Sequence, residues 1–311
     1  MSSFWVFPGQ GAQQAGMLHA LPNDPLIAQC LREASDALNE DVLTLDTQEA
    51  LQSTRAVQLC LLIAGVACSR LLMAQGNTPD YVAGLSIGAY PAAVIAGALS
   101  FADAVRLVAL RGELMQEAYP QGYGMTALIG LDQTTVEQLI AQIHSAATPV
   151  YLANINADNQ FVIAGSDQAM ASVAALAHEQ GAAAAKRLAV SVPSHCELLD
   201  TPAQKLAEAF AQVNLAAPTL RYLSGSTARP IFNADKLRDD LAFNMSRVID
   251  WRSTVQTAYE RGVRLQIEMP PGTVLTGLAR RVFEQGSAVA FQGARLDTLS
   301  ALSREEGTGH P

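Results

Sequence analysis

Apolar and polar positions alternate along this chain in a way that marks out strands and helices in turn. Phe4-Trp5-Val6-Phe7 is wholly apolar and short, the pattern of a strand covered on both faces. It stops at Pro8-Gly9-Gln10-Gly11-Ala12-Gln13, which is either a plain strand-ending turn or a loop whose N–H groups face a ligand. Residues 26–38 place Leu31, Ala34 and Leu38 on one side of a helix. Over 56–75 almost every position is apolar and Gly76 follows as a C-cap, so this helix should be buried all round. Arg55, Gln58, Arg70 and Gln75 bracket an apolar run shorter than a membrane span. Tyr81-Val82-Ala83 predicts a second buried strand, 89–96 an Ala-rich helix, and Ser100 with Asp103 the capped start of a helix to about 118.

Pro120-Gln121-Gly122-Tyr123-Gly124 breaks this rhythm, and a different order follows. Strands are expected at 125–131, 150–155, 161–164 and 185–190, and helices at 134–145 and 168–180. The order β-α-β-β-α-β is that of a ferredoxin-like unit. From 193 the first pattern resumes, with helices at 198–212, 252–261 and 273–284 and strands at 220–223, 265–268 and 289–291. The expectation is therefore a discontinuous α/β-hydrolase-like domain, 1–123 and 191–311, with a parallel sheet. A ferredoxin-like α+β subdomain, 124–190, is inserted in it. The polar, Gly-containing stretch from 304 to 311 is expected to fray.

Charge narrows the range of functions. The chain of 311 residues carries 20 basic and 29 acidic side chains, a net charge of −9, with no clustered Lys or Arg. Nucleic acid and anionic membrane surfaces are poor partners for such a surface. Half the residues are hydrophobic and 16% charged, which describes a large core and not a disordered chain. Cys30, Cys60, Cys68 and Cys196 have no metal-ligand spacing and no disulfide-framework density. With no basic, apolar leader at the start, a cytoplasmic protein is expected.

The chemistry centres on Gly84-Leu85-Ser86-Ile87-Gly88-Ala89-Tyr90. A G-x-S-x-G between a strand and a helix is the pattern of a nucleophile elbow. It holds Ser86 over a helix start, where free N–H groups stabilise developing negative charge. A serine nucleophile needs a base, and the chain has five histidines. His144 and His178 fall on polar helical surfaces, His310 in the tail and His19 in an early loop. His195, in Ser191-Val192-Pro193-Ser194-His195-Cys196, follows a strand where ligands collect in α/β sheets. A structural histidine is the alternative there, and Cys196 fits a small buried neighbour. Arg111 suits either a cap on the C-terminal end of its helix or a bidentate clamp for a carboxylate.

Four of these stretches, 7–13, 84–90, Leu110-Arg111-Gly112 and Pro193-Ser194-His195, resemble the malonyl-CoA:acyl carrier protein transacylases. So does Glu268-Met269-Pro270-Pro271-Gly272-Thr273-Val274-Leu275-Thr276-Gly277-Leu278. The resemblance implies Ser86 as nucleophile, His195 as base and Arg111 as clamp for a malonyl carboxylate, with backbone N–H groups of Gln10 and Ile87 as oxyanion hole. It implies malonyl-CoA as donor, an acyl carrier protein as partner, and no bound cofactor or metal. Leu85, Ala89 and Pro270 depart from the family's usual His, Glu and Gly. Asp250 is taken to occupy the position whose carbonyl orients the base; its carboxylate is a candidate third member, with a surface ion pair or a helix N-cap before Trp251 as the favoured alternative. The elbow and Gly122-Tyr123-Gly124-Met125-Thr126-Ala127-Leu128 are most similar to one branch, the malonate decarboxylase epsilon subunit. That branch serves a dedicated carrier subunit with a CoA-derived arm. The fatty-acid-synthesis transacylase, a serine esterase and a non-catalytic carrier-docking module stand as alternatives.

Overall fold

The computed structural model describes residues 2–308. The chain opens with β1 (Ser2–Phe7), followed by α1 (Pro25–Leu38), which starts at Asp24, whose carboxylate accepts from Leu26 N, and ends at Asn39 with φ 54°. Ser53 caps α2 (Thr54–Ala74). Next come β2 (Tyr81–Gly84), one 3-10 turn at Ser86–Gly88, and α3 (Ala89–Ile95). In α4 (Phe101–Ala118) the Ser100 hydroxyl accepts from Asp103 N at 3.2 Å, as the sequence predicts.

The middle of the chain runs β3 (Tyr123–Ile129), α5 (Gln133–Ile143), β4 (Val150–Ala157), β5 (Gln160–Ser166), α6 (Asp167–Glu179) and β6 (Ala184–Arg187). The last part holds α7 (Asp200–Phe210), β7 (Arg221–Leu223), β8 (Pro230–Ile231), α8 (Ala234–Phe243), β9 (Ile249–Asp250) and α9 (Trp251–Glu260). It closes with β10 (Val263–Glu268), α10 (Val274–Ala279), β11 (Ser287–Ala290) and α11 (Leu296–Thr308).

The larger sheet has the order β11-β10-β1-β2-β7-β8. All its neighbours pair in parallel except β7 and β8, which form a short antiparallel edge. Both faces of β1 are covered: Trp5 and Phe7 join one core cluster, Phe4 and Val6 another. This double cover is why β1 reads as an unbroken apolar run. Helix α2 is long and apolar enough to cross a membrane, yet it is packed inside the protein against α1, α3 and α4. It is a core helix, longer than the bracketing charges suggest.

The smaller sheet has the order β6-β3-β5-β4-β9. Its first four strands pair antiparallel, and β9 joins β4 in parallel through Asn154↔Ile249 and Ile155↔Asp250. One face packs under α5 and α6 through Leu128, Val136, Phe161 and Val173. The other carries Met125, Ala153, Val162 and Ala164, and Cys196 packs there.

Several boundaries differ from expectation. The strand expected over 185–190 ends at Arg187, and the helix expected over 273–284 is the short α10. Glu268 holds the start of α10. Its buried carboxylate accepts from Leu275 N, Thr276 N and Thr276 Oγ1 at 2.7–3.0 Å, tying this helix start to the end of β10. Helices α8 and α11 and strands β8 and β9 lie where no element was expected. The tail forms α11 as far as Thr308 instead of fraying from 304; residues 309–311, with His310, lie outside the described residues.

Candidate active site

The elbow is forced by close backbone packing. A Cβ on Gly84 would lie 1.8 Å from the Gly88 carbonyl carbon, and one on Gly88 would lie 2.2 Å from Phe7 O. Neither site can hold a side chain unless the backbone moves. Ser86 sits between them at φ 59°, in the left-handed region that a serine rarely adopts. Such strain persists only where the surroundings fix it, and it concentrates at functional sites.

The loop after β1 lies against this turn. Phe7 pairs with Gly84, Leu85 N donates to Phe7 O at 3.0 Å, and a Cβ on Gly9 would meet Leu85 O at 2.8 Å. Gln10 and Ile87 therefore leave adjacent strands at the same edge of the sheet. Ile87 is in the first turn of a helical segment, where N–H groups have no intrahelical partner.

His195 is the second non-glycine residue of the site with a left-handed backbone, at φ 63°. Its N–H donates to Met245 O at 2.6 Å, and Nδ1 lies 2.7 Å from Asn244 O. A carbonyl only accepts, so Nδ1 carries the proton and Nε2 keeps its lone pair. His195 is 3% exposed. Burial, helped by the Arg111 cation and opposed by the bond to Asn244 O, pushes its pKa down to about 4. His195 is thus neutral at pH 7, the form a general base requires. Cys196 beside it donates to Pro193 O, and burial pushes its thiol up to about 12, so it is no nucleophile.

Arg111 is fully buried. Nη1 donates to Gln58 Oε1 at 2.8 Å; Nη2 donates to Asn244 Oδ1 at 2.8 Å and reaches Ser86 Oγ at 3.4 Å. The Tyr90 ring lies 5.6 Å from the guanidinium carbon, and Nε is buried without a partner. Among the described residues no carboxylate forms an ion pair with it. Burial lowers its pKa from the ordinary value, but a guanidinium stays charged in a protein. A buried cation lacking a counter-ion costs several kcal/mol, and an incoming anion offsets that cost. The helix-cap reading fails, because α4 continues to Ala118 and Arg111 is not in its last turn.

Asn244 ties these parts together. Its backbone carbonyl holds His195 Nδ1, its Oδ1 holds Arg111, and its Nδ2 donates to Ser86 O at 3.0 Å. Asp250 does not orient the base. Its carboxylate accepts from Ser253 N at 3.0 Å and caps α9, while the carbonyl facing His195 belongs to Asn244, upstream in a 3-10 turn. No local pattern marks Asn244, because α8 before it has few apolar positions. Gln58 did leave a sign: it is an amide within a helix whose neighbours are almost all apolar, and it is 1% exposed.

The other described histidines lie elsewhere. His19 pairs with Asp46, His144 bonds Val150 O, and His178 is in the last turn of α6.

Comparison with known proteins shows the family of the chain. A family model described as an acyl transferase domain matches residues 4–308. A malonyl CoA-acyl carrier protein transacylase of Salmonella typhimurium strain LT2 is 39% identical over 293 residues, 92% of this chain and 94% of that protein. The crystal structure of FabD from Acinetobacter baumannii superposes with a TM-score of 0.93 at 38% identity, covering 98% of both chains. A malonyl-transacylase solved in complex with a type II PKS acyl-carrier protein gives 0.92 at 36% identity, over 98% of this chain and all of that one.

Proposed function

This chain belongs to the acyl transferase family, and we propose that it moves a malonyl group from malonyl-CoA to the thiol of an acyl carrier protein through an ester on Ser86. The observation that carries the reading is Arg111, a buried cation with only neutral partners, within 3.4 Å of the nucleophile's oxygen. A malonyl thioester presents a carboxylate to that cation and its carbonyl carbon to Ser86 Oγ. A hydrolase for neutral acyl chains has no use for such a cation.

The arrangement supports a two-stage route. His195 Nε2 takes the Ser86 proton as Oγ attacks the thioester carbon. The carbonyl oxygen becomes an oxyanion, which the Gln10 and Ile87 N–H groups stabilise by a few kcal/mol. As the carbon–sulfur bond breaks, the His195 proton passes to the CoA thiolate, leaving CoA and a Ser86 malonyl ester. The carrier thiol then gives its proton to His195 and attacks the ester, and Ser86 regains that proton. No bound cofactor is called on. Residues 124–190 act as a small subdomain whose sheet face, against Cys196, closes the site near the base.

Replacing Arg111 by Ala tests the carboxylate clamp. The loss with malonyl-CoA should exceed the loss with acetyl-CoA on the order of a hundredfold in rate, because only malonyl offers a charge-assisted pair. Equal losses would remove the clamp.

An ordinary acyl carrier protein, as in the fatty-acid-synthesis alternative, is the acceptor we favour, since the named relatives are acyl carrier protein transacylases, one of them solved with a type II PKS carrier. A second reading, the carrier subunit of malonate decarboxylase, draws on the sequence of the elbow, where Leu85 and Ala89 stand. Malonyl transfer to each carrier, compared side by side, separates the two. The buried, free cysteines fit a reducing, cytoplasmic setting.

A further inference from the structure

Arg111 is held by two amides where acids would bind it more tightly. Gln58 Oε1 takes Nη1 and Asn244 Oδ1 takes Nη2, each at 2.8 Å, and both amides are nearly fully buried. A carboxylate in either place would form a short charge-assisted pair with the guanidinium. It would also supply the counter-ion that the site lacks. An amide oxygen gives the same direction of hydrogen bond without cancelling the charge.

We propose that Gln58 and Asn244 are specificity-determining positioning residues: as neutral acceptors they orient Arg111 and leave its charge for the acyl group's carboxylate. They act through Arg111 and not on the reacting carbon. The remaining bonds of both amides fit this role. Gln58 Nε2 faces Met115 Sδ at 3.3 Å, a weak acceptor that fixes which end of the amide meets the arginine. Asn244 Nδ2 donates to Ser86 O, which fixes its oxygen towards Arg111 in the same way. Each amide is thereby held oxygen-first; Gln58→Glu would meet Arg111 with the same geometry, while Asn244→Asp would also lose the bond to Ser86 O. An internal carboxylate would then compete with the substrate's at its one cationic partner.

The inference rests on malonyl being the acyl group, and the test separates the two ideas. Gln58→Glu and Asn244→Asp each change one amide nitrogen to oxygen. For wild type and both variants, kcat/KM is measured with malonyl-CoA and with acetyl-CoA, after thermal melting shows a folded chain. A wild-type preference for malonyl-CoA checks the acyl group itself. The malonyl-to-acetyl ratio should fall on the order of a hundredfold in the variants, with the loss on the malonyl side appearing chiefly in KM. Gln58 has no bond to Ser86 or His195, so its variant isolates the effect on Arg111 if Asn244→Asp does not fold. Should Gln58→Glu not fold either, Gln58→Met replaces it. Met removes the strong acceptor without adding charge, and it should lower the same ratio by loosening Arg111. A folded Gln58 variant that keeps the wild-type ratio would overturn the proposal.

Discussion

At His195 burial and charge act in one direction. The ring is shut from water and lies near the Arg111 cation, and both effects oppose protonation, which is why its pKa falls from 6.5 to about 4. Two consequences follow. The base is ready throughout the neutral range, so acylation of Ser86, measured by stopped-flow release of CoA, should stay level from about pH 8 to pH 5 and halve near pH 4. A midpoint near 6.5 would mean a solvated ring. In stability the sign is the same. Between pH 6.5 and 4 the unfolded chain binds a proton that the folded chain excludes. Stability therefore falls as pH drops through that window, by on the order of 3 kcal/mol in all. Ser86 stands in a local pattern, the elbow, whereas the residues alone left His195 open between base and structural histidine and Arg111 between cap and clamp, and only the resemblance assigned their roles. Asn244 has no local pattern. Its importance comes from three contacts with residues far away in sequence, and no stretch of chain displays those.

Among the elements, the elbow and the α9 start show how much a short motif decides. Both glycines of G-x-S-x-G meet backbone where a Cβ would go, so that motif carried its own structural proof. The Asp250-Trp251 step carried less, since the same residues suit a helix cap or a partner for the base. The structure gives the cap. Asp250→Ala should cost about 1 kcal/mol in urea unfolding, and Asp250→Asn only a few tenths, because Asn caps as well as Asp. Turnover per folded molecule should change little in either. A loss beyond tenfold in Asp250→Asn would restore the carboxylate to the catalytic machinery. Sequence periodicity recovered the long buried elements, β1 and α2 among them, because covered segments are apolar at nearly every position. It missed α8 because that helix buries mainly Leu237, Asp240, Leu241 and Ala242 in a charged sequence. Asp240 is a buried acid held by Tyr222 and Ser224 hydroxyls, so it reads as surface although it is core. Strand β9, two residues long, has too little pattern to see.

On the scale of the molecule, the site is assembled from segments that lie far apart in the chain. β1 and β2 bring Gln10, Ser86 and Ile87 to one edge, α2 and α4 deliver Gln58 and Arg111, and the chain returning from β6 brings His195. The turn after α8 then locks base, nucleophile and cation together through Asn244. Just beyond it, β9 joins the smaller sheet, so the chain that contacts His195 through Asn244 runs on into that sheet. The proposed transfer turns on one covalent step. Intact-mass measurement after mixing the protein with malonyl-CoA and no acceptor tests that step most directly. One malonyl group per chain should appear, mapped to the peptide containing Ser86, be absent in Ser86→Ala and form slowly in His195→Ala. A wild-type chain that stays unmodified yet passes malonyl to a carrier protein would contradict the acyl-enzyme account.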